Sequence, residues 1–157
     1  MPILANNRRA SFDYDLLENY EAGLVLLGHE AKSAKAGHVN LSGAYVSLRS
    51  GNNGSELWLV GAHISPYRFA GKMNDYDPNR ERKLLLKKRE IAYLIGKIQE
   101  KGLTLVPVKM YTKRSFVKLE FALGRGKKKY DKRDDLKKKD EDRRIKTLLK
   151  SKLKISL

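Results

Sequence analysis

The chain has no cysteine among its 157 residues. That excludes a disulfide framework and any thiolate-held metal. Histidine is scarce too. His29, His38 and His63 stand apart, without ligand spacing and without a paired carboxylate nearby in sequence, so neither a metal site nor a general base is expected. "GRGKKK" lacks the Lys-Ser/Thr and glycine spacing of a phosphate loop. In "HISPY", Ser-Pro starts a turn, and no nucleophile elbow accompanies it. These absences argue against an enzyme, with no catalytic residue and no cofactor to name. Apolar runs are also short. None approaches the roughly 20 residues of a membrane-spanning helix, and the opening "MPILANNRRA" has no apolar core of a secretion signal. A cytoplasmic protein is expected.

Acid is in short supply. Lys and Arg number 34 against 18 Asp and Glu, a net charge of +16. The imbalance is uneven: 15 of the basic and 6 of the acidic residues lie after position 123, so the last 34 positions carry +9 and the first 123 carry +7. Such a surface favours a polyanion, either nucleic acid or an anionic membrane surface.

The pattern along the chain is mostly that of strands. Residues 1–10 read as frayed, and Asp13 is placed to cap a short helix through Leu17. "AGLVLLGHEAKSAKAG" reads as a strand that bends at Gly28. Tyr45–Leu48 and Leu57–Val60, joined by "GNNG", form the clearest hairpin. A long exposed connection follows, through "SPYRFAGKMNDYDPNRERKLLL". Ile91, Leu94, Ile95 and Ile98 then fall on one helical stripe that Gly102 can end. Pro107 in "LTLVPVKMY" predicts an edge or a bulge. In "SFVKLEFAL", Val117, Leu119, Phe121 and Leu123 face one side while Lys118 and Glu120 face the other. Short strands with glycine-rich turns predict a mainly β, OB-like barrel with helices.

Two regions concentrate the charge. "RERKLLLKKRE" gathers Arg80, Arg82, Lys83, Lys87, Lys88 and Arg89 beside a helix start, a candidate phosphate-binding surface. Tyr14, Tyr20, Tyr67, Tyr76 and Tyr130 are candidate stacking platforms for unpaired bases. The tail has acid-before-base pairs four apart, such as Asp134–Lys138 and Asp140–Arg144, each able to add ~0.2–0.5 kcal/mol to a helix. Ordering each residue costs roughly 1–2 kcal/mol, so the tail is expected to be disordered alone and to fold on a polyanion.

Seven blocks in order give the sequence a family likeness: "NRRA" (7–10), "YEAGLVLLGHEAKS" (20–33), "AGHVNLSGAYV" (36–46), "HISPY" (63–67), "DPNRERKLLLKKREI" (77–91), "GLTLVPVKMYTK" (102–113) and "GKKKYDKRDDLKKKD" (126–140). On these it resembles the small protein B (SsrA-binding protein) family, the tmRNA partners of bacterial trans-translation. The resemblance implies a six-stranded antiparallel, OB-like β-barrel flanked by about three helices over residues 1–123. It implies a basic tail over 124–157 that becomes helical in the ribosome. The implied partners are the tRNA-like domain of tmRNA and small-subunit ribosomal RNA at the decoding centre and messenger channel, with no membrane and a monomeric chain. The implied role is delivery of tmRNA to ribosomes stalled on messages without a stop codon, followed by tagging of the nascent peptide.

Residue by residue, the resemblance and the basic clusters together give an RNA-binding set of Asn7, Arg8, Arg9, Glu21, Lys32, Arg80, Lys83, Leu85, Lys88 and Arg89. The family's "GKKxxDKR" block gives a ribosome-binding set of Gly126, Lys127, Lys128, Lys129, Tyr130, Asp131, Lys132 and Arg133. Ala31, Lys35, Arg114 and Gly124 depart from the family's usual residues. Charge and strands alone fit a general single-stranded-RNA or ribosomal OB-fold protein equally well, whereas a membrane-surface protein using the short "KTLLKSKLKISL" as a basic amphipathic end would leave the barrel unexplained.

Overall fold

A strand buried on one side shows its alternation as burial, and residues 116–123 do so. In the computed structural model, which describes residues 2–100 and 102–155, Val117, Leu119, Phe121 and Leu123 are buried while Lys118 and Glu120 face outward. The elements run β1 (Ile3–Asn6), α1 (Ala10–Asp13), β2 (Tyr14–Leu24), α2 (Gly28–Lys35), β3 (Val39–Asn40), β4 (Tyr45–Gly51) and β5 (Gly54–Val60). They continue with β6 (His63–Ile64), β7 (Arg82–Leu85), α3 (Lys88–Ile98), β8 (Leu103–Lys113), β9 (Phe116–Gly126) and α4 (Lys129–Ile155). The described residues are thus mainly β sheet with four helices.

All pairings are antiparallel. The main sheet has the order β1-β8-β4-β5-β7-β2-β9, and β8 also pairs with β9, so six strands form a closed circuit. β3 and β6 make a separate pair. The long strand β8 holds the circuit together: it meets β9 along its whole length, β4 at Leu105 and β1 near Lys109. Pro107 has no N–H to give a ladder, and the β8–β9 register shifts between Pro107 and Lys109. The β4–β5 hairpin closes on Asn52 and Asn53, and Gly54 takes the positive φ of +111° that this turn requires. The β8–β9 hairpin closes on Arg114 and Ser115, both left-handed at φ +49° and +70°, although neither is glycine. The interior holds Leu57, Leu59, Leu84, Leu105, Met110, Leu119 and Phe121, and Leu94 of the α3 stripe packs against it.

Four segments differ from the sequence-based expectation. Residues 82–85, read as part of a long exposed connection, are strand β7, paired with β5 and β2 and with Leu84 in the core. Residues 3–6 are not frayed: they pair with β8 at Lys109–Tyr111. Residues 14–17 are strand rather than helix, because β2 pairs with β9 from Tyr14↔Gly126 to Gly23↔Lys118. Residues 28–35 are helix rather than strand. The start of α2 is satisfied from within, since Glu30 accepts a hydrogen bond from the Leu27 N–H at 2.9 Å.

Glu30 does more than cap. It is fully buried beside an equally buried Arg82, whose Nη2 lies 2.8 Å from Glu30 Oε1. Arg80 Nε donates to the same oxygen at 2.8 Å, and the Tyr76 hydroxyl at 3.0 Å. Arg82 also donates to the carbonyls of Ala62, Arg80 and Pro78. One carboxylate and two guanidinium groups therefore pin the long connection after β6 to α2.

The chain divides into two units, Met1–Gly126 and Lys127–Leu157. β9 runs past the expected boundary at Leu123, because Gly124, Arg125 and Gly126 still pair with Leu16, Asp15 and Tyr14. The second unit contains the 27-residue α4. Leu136, Ile145, Leu148, Leu149 and Leu153 on it are all exposed.

Candidate nucleic-acid interface

β2 and β7 run side by side with Gly23 opposite Leu85 and Leu24 opposite Leu84. Alternation sends Leu84 into the core and leaves Leu85 on the outer face, 54% exposed. Glu21, two residues before Gly23, points outward as well. After β7 the chain passes through Leu86 and Lys87 into α3, whose first turn carries Lys88 and Arg89. Glu90 Oε2 accepts from the Lys87 N–H at 2.8 Å and so fixes that turn.

These elements enclose a surface depression of about 550 Å³ whose lining includes Glu21, Glu56, Lys83, Leu85, Lys88 and Lys118. Five sequence-predicted residues thus meet: Glu21, Lys83, Leu85, Lys87 and Lys88. Arg89 is exposed beside them. Glu21 accepts a hydrogen bond from the Tyr111 hydroxyl, and its carboxylate lies 3.3 Å from Lys113 Nζ and 3.9 Å from Lys118 Nζ. The Tyr111 hydrogen bond first, and the two lysines after it, hold the Glu21 carboxyl below its usual range despite some desolvation. A carboxylate that would repel phosphate is thereby fixed and partly neutralised by two cations. Lys83 is similarly held, 2.6 Å from Glu56 Oε1. Tyr111, Lys113, Lys118 and Glu56 were not singled out from the sequence as site residues. Their roles come from pairings between strands far apart in the chain.

The other predicted residues lie elsewhere. Asn7 and Arg9 line a second depression of about 380 Å³, together with Tyr14 and Tyr45. Asn7 is only 8% exposed. Its Nδ2 donates to the Pro107 carbonyl at 2.9 Å, and its N–H to the Val108 carbonyl at 2.7 Å. It is therefore a structural clip on the bulge of β8 as much as a surface group, and its Oδ1 is buried without a hydrogen-bond partner. Arg8 is exposed in the turn before α1. Arg80 is taken up by Glu30, and Arg82, read from the sequence with the phosphate-binding cluster, is fully buried. Lys32 sits on α2, 5.7 Å over the ring of Tyr67. Of the tail set, Gly126 ends β9. Lys127 to Arg133 belong to the second unit, where Lys127 Nζ lies 2.6 Å from Asp135 Oδ2 and Tyr130 is exposed.

The family model described as "SmpB protein" matches residues 4–151. The chain belongs to the SmpB protein family. It is 50% identical over 149 residues to the SsrA-binding protein of Nostoc punctiforme, covering 95% of this chain and 94% of that one. It is 51% identical over 142 residues to the SsrA-binding protein of Dehalococcoides mccartyi, covering 90% and 80%. A solved structure described as "tmRNA-SmpB: a journey to the center of the bacterial ribosome" contains a chain 45% identical to this one. It superposes with a TM-score of 0.65 over 82% of this chain and 87% of that one. The SmpB family model reaches past Ile145 to residue 151, further than the motif blocks, which end at Asp140.

Proposed function

We propose that this protein is a tmRNA-binding adaptor of trans-translation, which brings tmRNA to ribosomes stalled without a stop codon so that they are released and their nascent peptides tagged. The observation that carries the reading is the depression that gathers Glu21, Lys83, Leu85 and Lys88, on a chain half identical over nearly its whole length to SsrA-binding proteins. In this reading the closed six-strand circuit is an OB-like barrel, and its outer face offers the RNA an apolar contact at Leu85. Lys88 and Arg89 meet phosphates, and Glu21 accepts from a base amino group or a 2′-hydroxyl. The protein acts by binding and performs no catalysis. It acts as a monomer, at the ribosome and hence in the cytoplasm. No helix among the described residues is long and apolar enough to cross a membrane.

Glu21→Ala and Leu85→Ala are each expected to weaken tmRNA binding on the order of 10-fold, about 1.4 kcal/mol. Both side chains are exposed, so thermal unfolding should shift little. Gel-shift titration against tmRNA, with melting curves of the same variants, is the test. Normal affinity in both would sink the assignment of this face. Asn7→Ala is a poorer probe, because it also deletes the buried bond to Pro107 and should destabilise the fold by about 1–3 kcal/mol.

Salt separates the cations. Log affinity should fall linearly with log salt, and Lys88→Gln or Arg89→Gln should each reduce the slope by about 0.7–0.9. Arg80→Gln should leave the slope where it was and lower the melting temperature instead, since its guanidinium serves Glu30. An unchanged slope in the Lys88 and Arg89 variants would return those residues to a merely solvated helix face.

A further inference from the structure

Lys32 lines neither depression. Its ammonium lies over the Tyr67 ring, and Tyr67 meets Phe69 edge-on, with centroids 5.7 Å apart and an interplanar angle of 68°. The Arg68 guanidinium is 5.8 Å from the centre of the Phe69 ring. Lys32, Tyr67, Phe69 and Arg68 therefore form one connected group of cations and rings. The base of the loop that carries it is fastened. Ser33 Oγ donates to the Ser65 carbonyl at 2.6 Å, and the Ser65 N–H donates to the His38 carbonyl at 3.1 Å. The Ala70 N–H closes a turn onto the Tyr67 carbonyl at 3.0 Å, and Gly71 reverses the chain at φ +77°.

Phe69 is 77% exposed on this anchored turn. A phenyl ring held in water forgoes the gain that burial would give it, so its placement has no purpose in the core. The surroundings are basic. "SPYRFAGKMND" carries Arg68 and Lys72 against one carboxylate, Asp75, and Lys32 and Lys35 on α2 add two more cations. The acid of α2, Glu30, is turned inward to Arg80 and Arg82.

We infer that this turn is a second RNA contact, in which an unpaired nucleotide of tmRNA stacks on the open face of Phe69 while Lys32 and Arg68 neutralise its phosphates. The inference rests on the reading that the protein binds tmRNA. Every base offers a π-face, and a guanidinium on the far side of the ring reinforces the stack. The chemistry favours RNA over a lipid surface, because a membrane-seated turn would need a broad apolar face and here one exposed ring is flanked by cations. It favours tmRNA because α2 and this turn belong to the same unit as the Glu21–Leu85 depression, so one structured RNA can engage both and gain from the second contact without a second association step.

The test uses the full chain with Phe69→Ala, Phe69→Leu and Phe69→Tyr, titrated against tmRNA. Purified small ribosomal subunits and phosphatidylglycerol vesicles serve as separate arms. Alanine and leucine should both weaken tmRNA binding on the order of 10-fold, and tyrosine, which keeps the ring, should stay within about 2-fold of the parent. Melting temperatures should not move, since Phe69 packs into no core. Lys32→Gln and Arg68→Gln should each reduce the salt slope by about 0.7–0.9. Recovery of affinity with leucine would overturn stacking. So would a loss confined to the ribosomal subunits or to the vesicles. Normal tmRNA affinity in all three Phe69 variants, beside weakened binding by Glu21→Ala, would overturn this inference and leave the tmRNA reading standing. Failure of the parent chain to bind tmRNA would sink both.

Discussion

Glu30→Ala is expected to lower folding stability by about 3–5 kcal/mol, because it strands the buried Arg82 guanidinium without its counter-charge. The loss has several sources. Arg82 Nε and Nη2 lose acceptors at 3.0 and 2.8 Å, Arg80 loses both of its bonds to the carboxylate, and the Tyr76 hydroxyl loses one of two acceptors. The Leu27 N–H at the start of α2 also loses its cap. Burial on its own would raise the Glu30 pKa, but the hydrogen bonds from Arg80, the Leu27 N–H and Arg82 outweigh it and bring the group to about 2. A carboxyl depressed from its usual 4.5 contributes stability that is fully present above that value and is lost as pH falls towards about 2. The parent protein should therefore lose stability through that acid window, and Glu30→Gln, which cannot titrate, should lack this component and be less stable at neutral pH. Urea titrations at a series of pH values measure both effects. An alanine variant within ~1 kcal/mol of the parent would show that the network contributes little net stability.

Glu30 also shows where sequence reading succeeds and where it fails. The α3 stripe, the "GNNG" hairpin, the shift at Pro107 and the alternation of β9 are all local patterns, each set by residues within a few positions of one another, and each appears where expected. The segment from Leu24 to Lys35 is different. "LVLLG" is an apolar run with no clear period, and Leu27 offers no capping side chain, so nothing local marks a helix start at Gly28. The cap comes from Glu30, whose burial depends on Arg80 and Arg82 about 50 positions away. In β2 the period of two is masked because a polar residue, Glu18, sits on the half-buried side with Tyr20 and is satisfied there by the Tyr20 and Tyr93 hydroxyls. The candidate site follows the same logic. Glu21, Leu85 and Lys88 were legible as motif positions. That Tyr111, Lys113 and Lys118 hold Glu21 follows only from the β8–β9 and β2–β9 registers, and Arg82 looks like a surface cation until its partner is known.

Truncation after Gly126 is expected to abolish peptide tagging on stalled ribosomes while leaving tmRNA binding within about 3-fold of the parent, since few tmRNA phosphate contacts would be lost. The cut belongs at Gly126 and not at Leu123. Gly124, Arg125 and Gly126 pair with β2, and Leu103 and Thr104 of β8 pair with Arg125 and Gly124, so an earlier stop would open the seam between β8, β9 and β2. The first unit keeps its whole hydrophobic interior without the tail, and its melting temperature should barely change. What leaves is the basic helix with its exposed Tyr130 and the "GKKKYDKR" block, which the family resemblance assigns to the messenger channel. The tail is helical over Lys129–Ile155 although the sequence predicted disorder, and the difference in circular dichroism between the full and truncated chains, both free, measures whether that helix stands without a polyanion. Changing Asp131, Lys132 and Arg133 together to alanine should reproduce most of the tagging defect with tmRNA affinity intact. The paired measurement is affinity for isolated tmRNA and tagging in a reconstituted translation system. Normal tagging by the truncated chain would remove the tail from the mechanism, whereas loss of tmRNA binding in step with tagging would move the tail into the RNA-binding surface of the first unit.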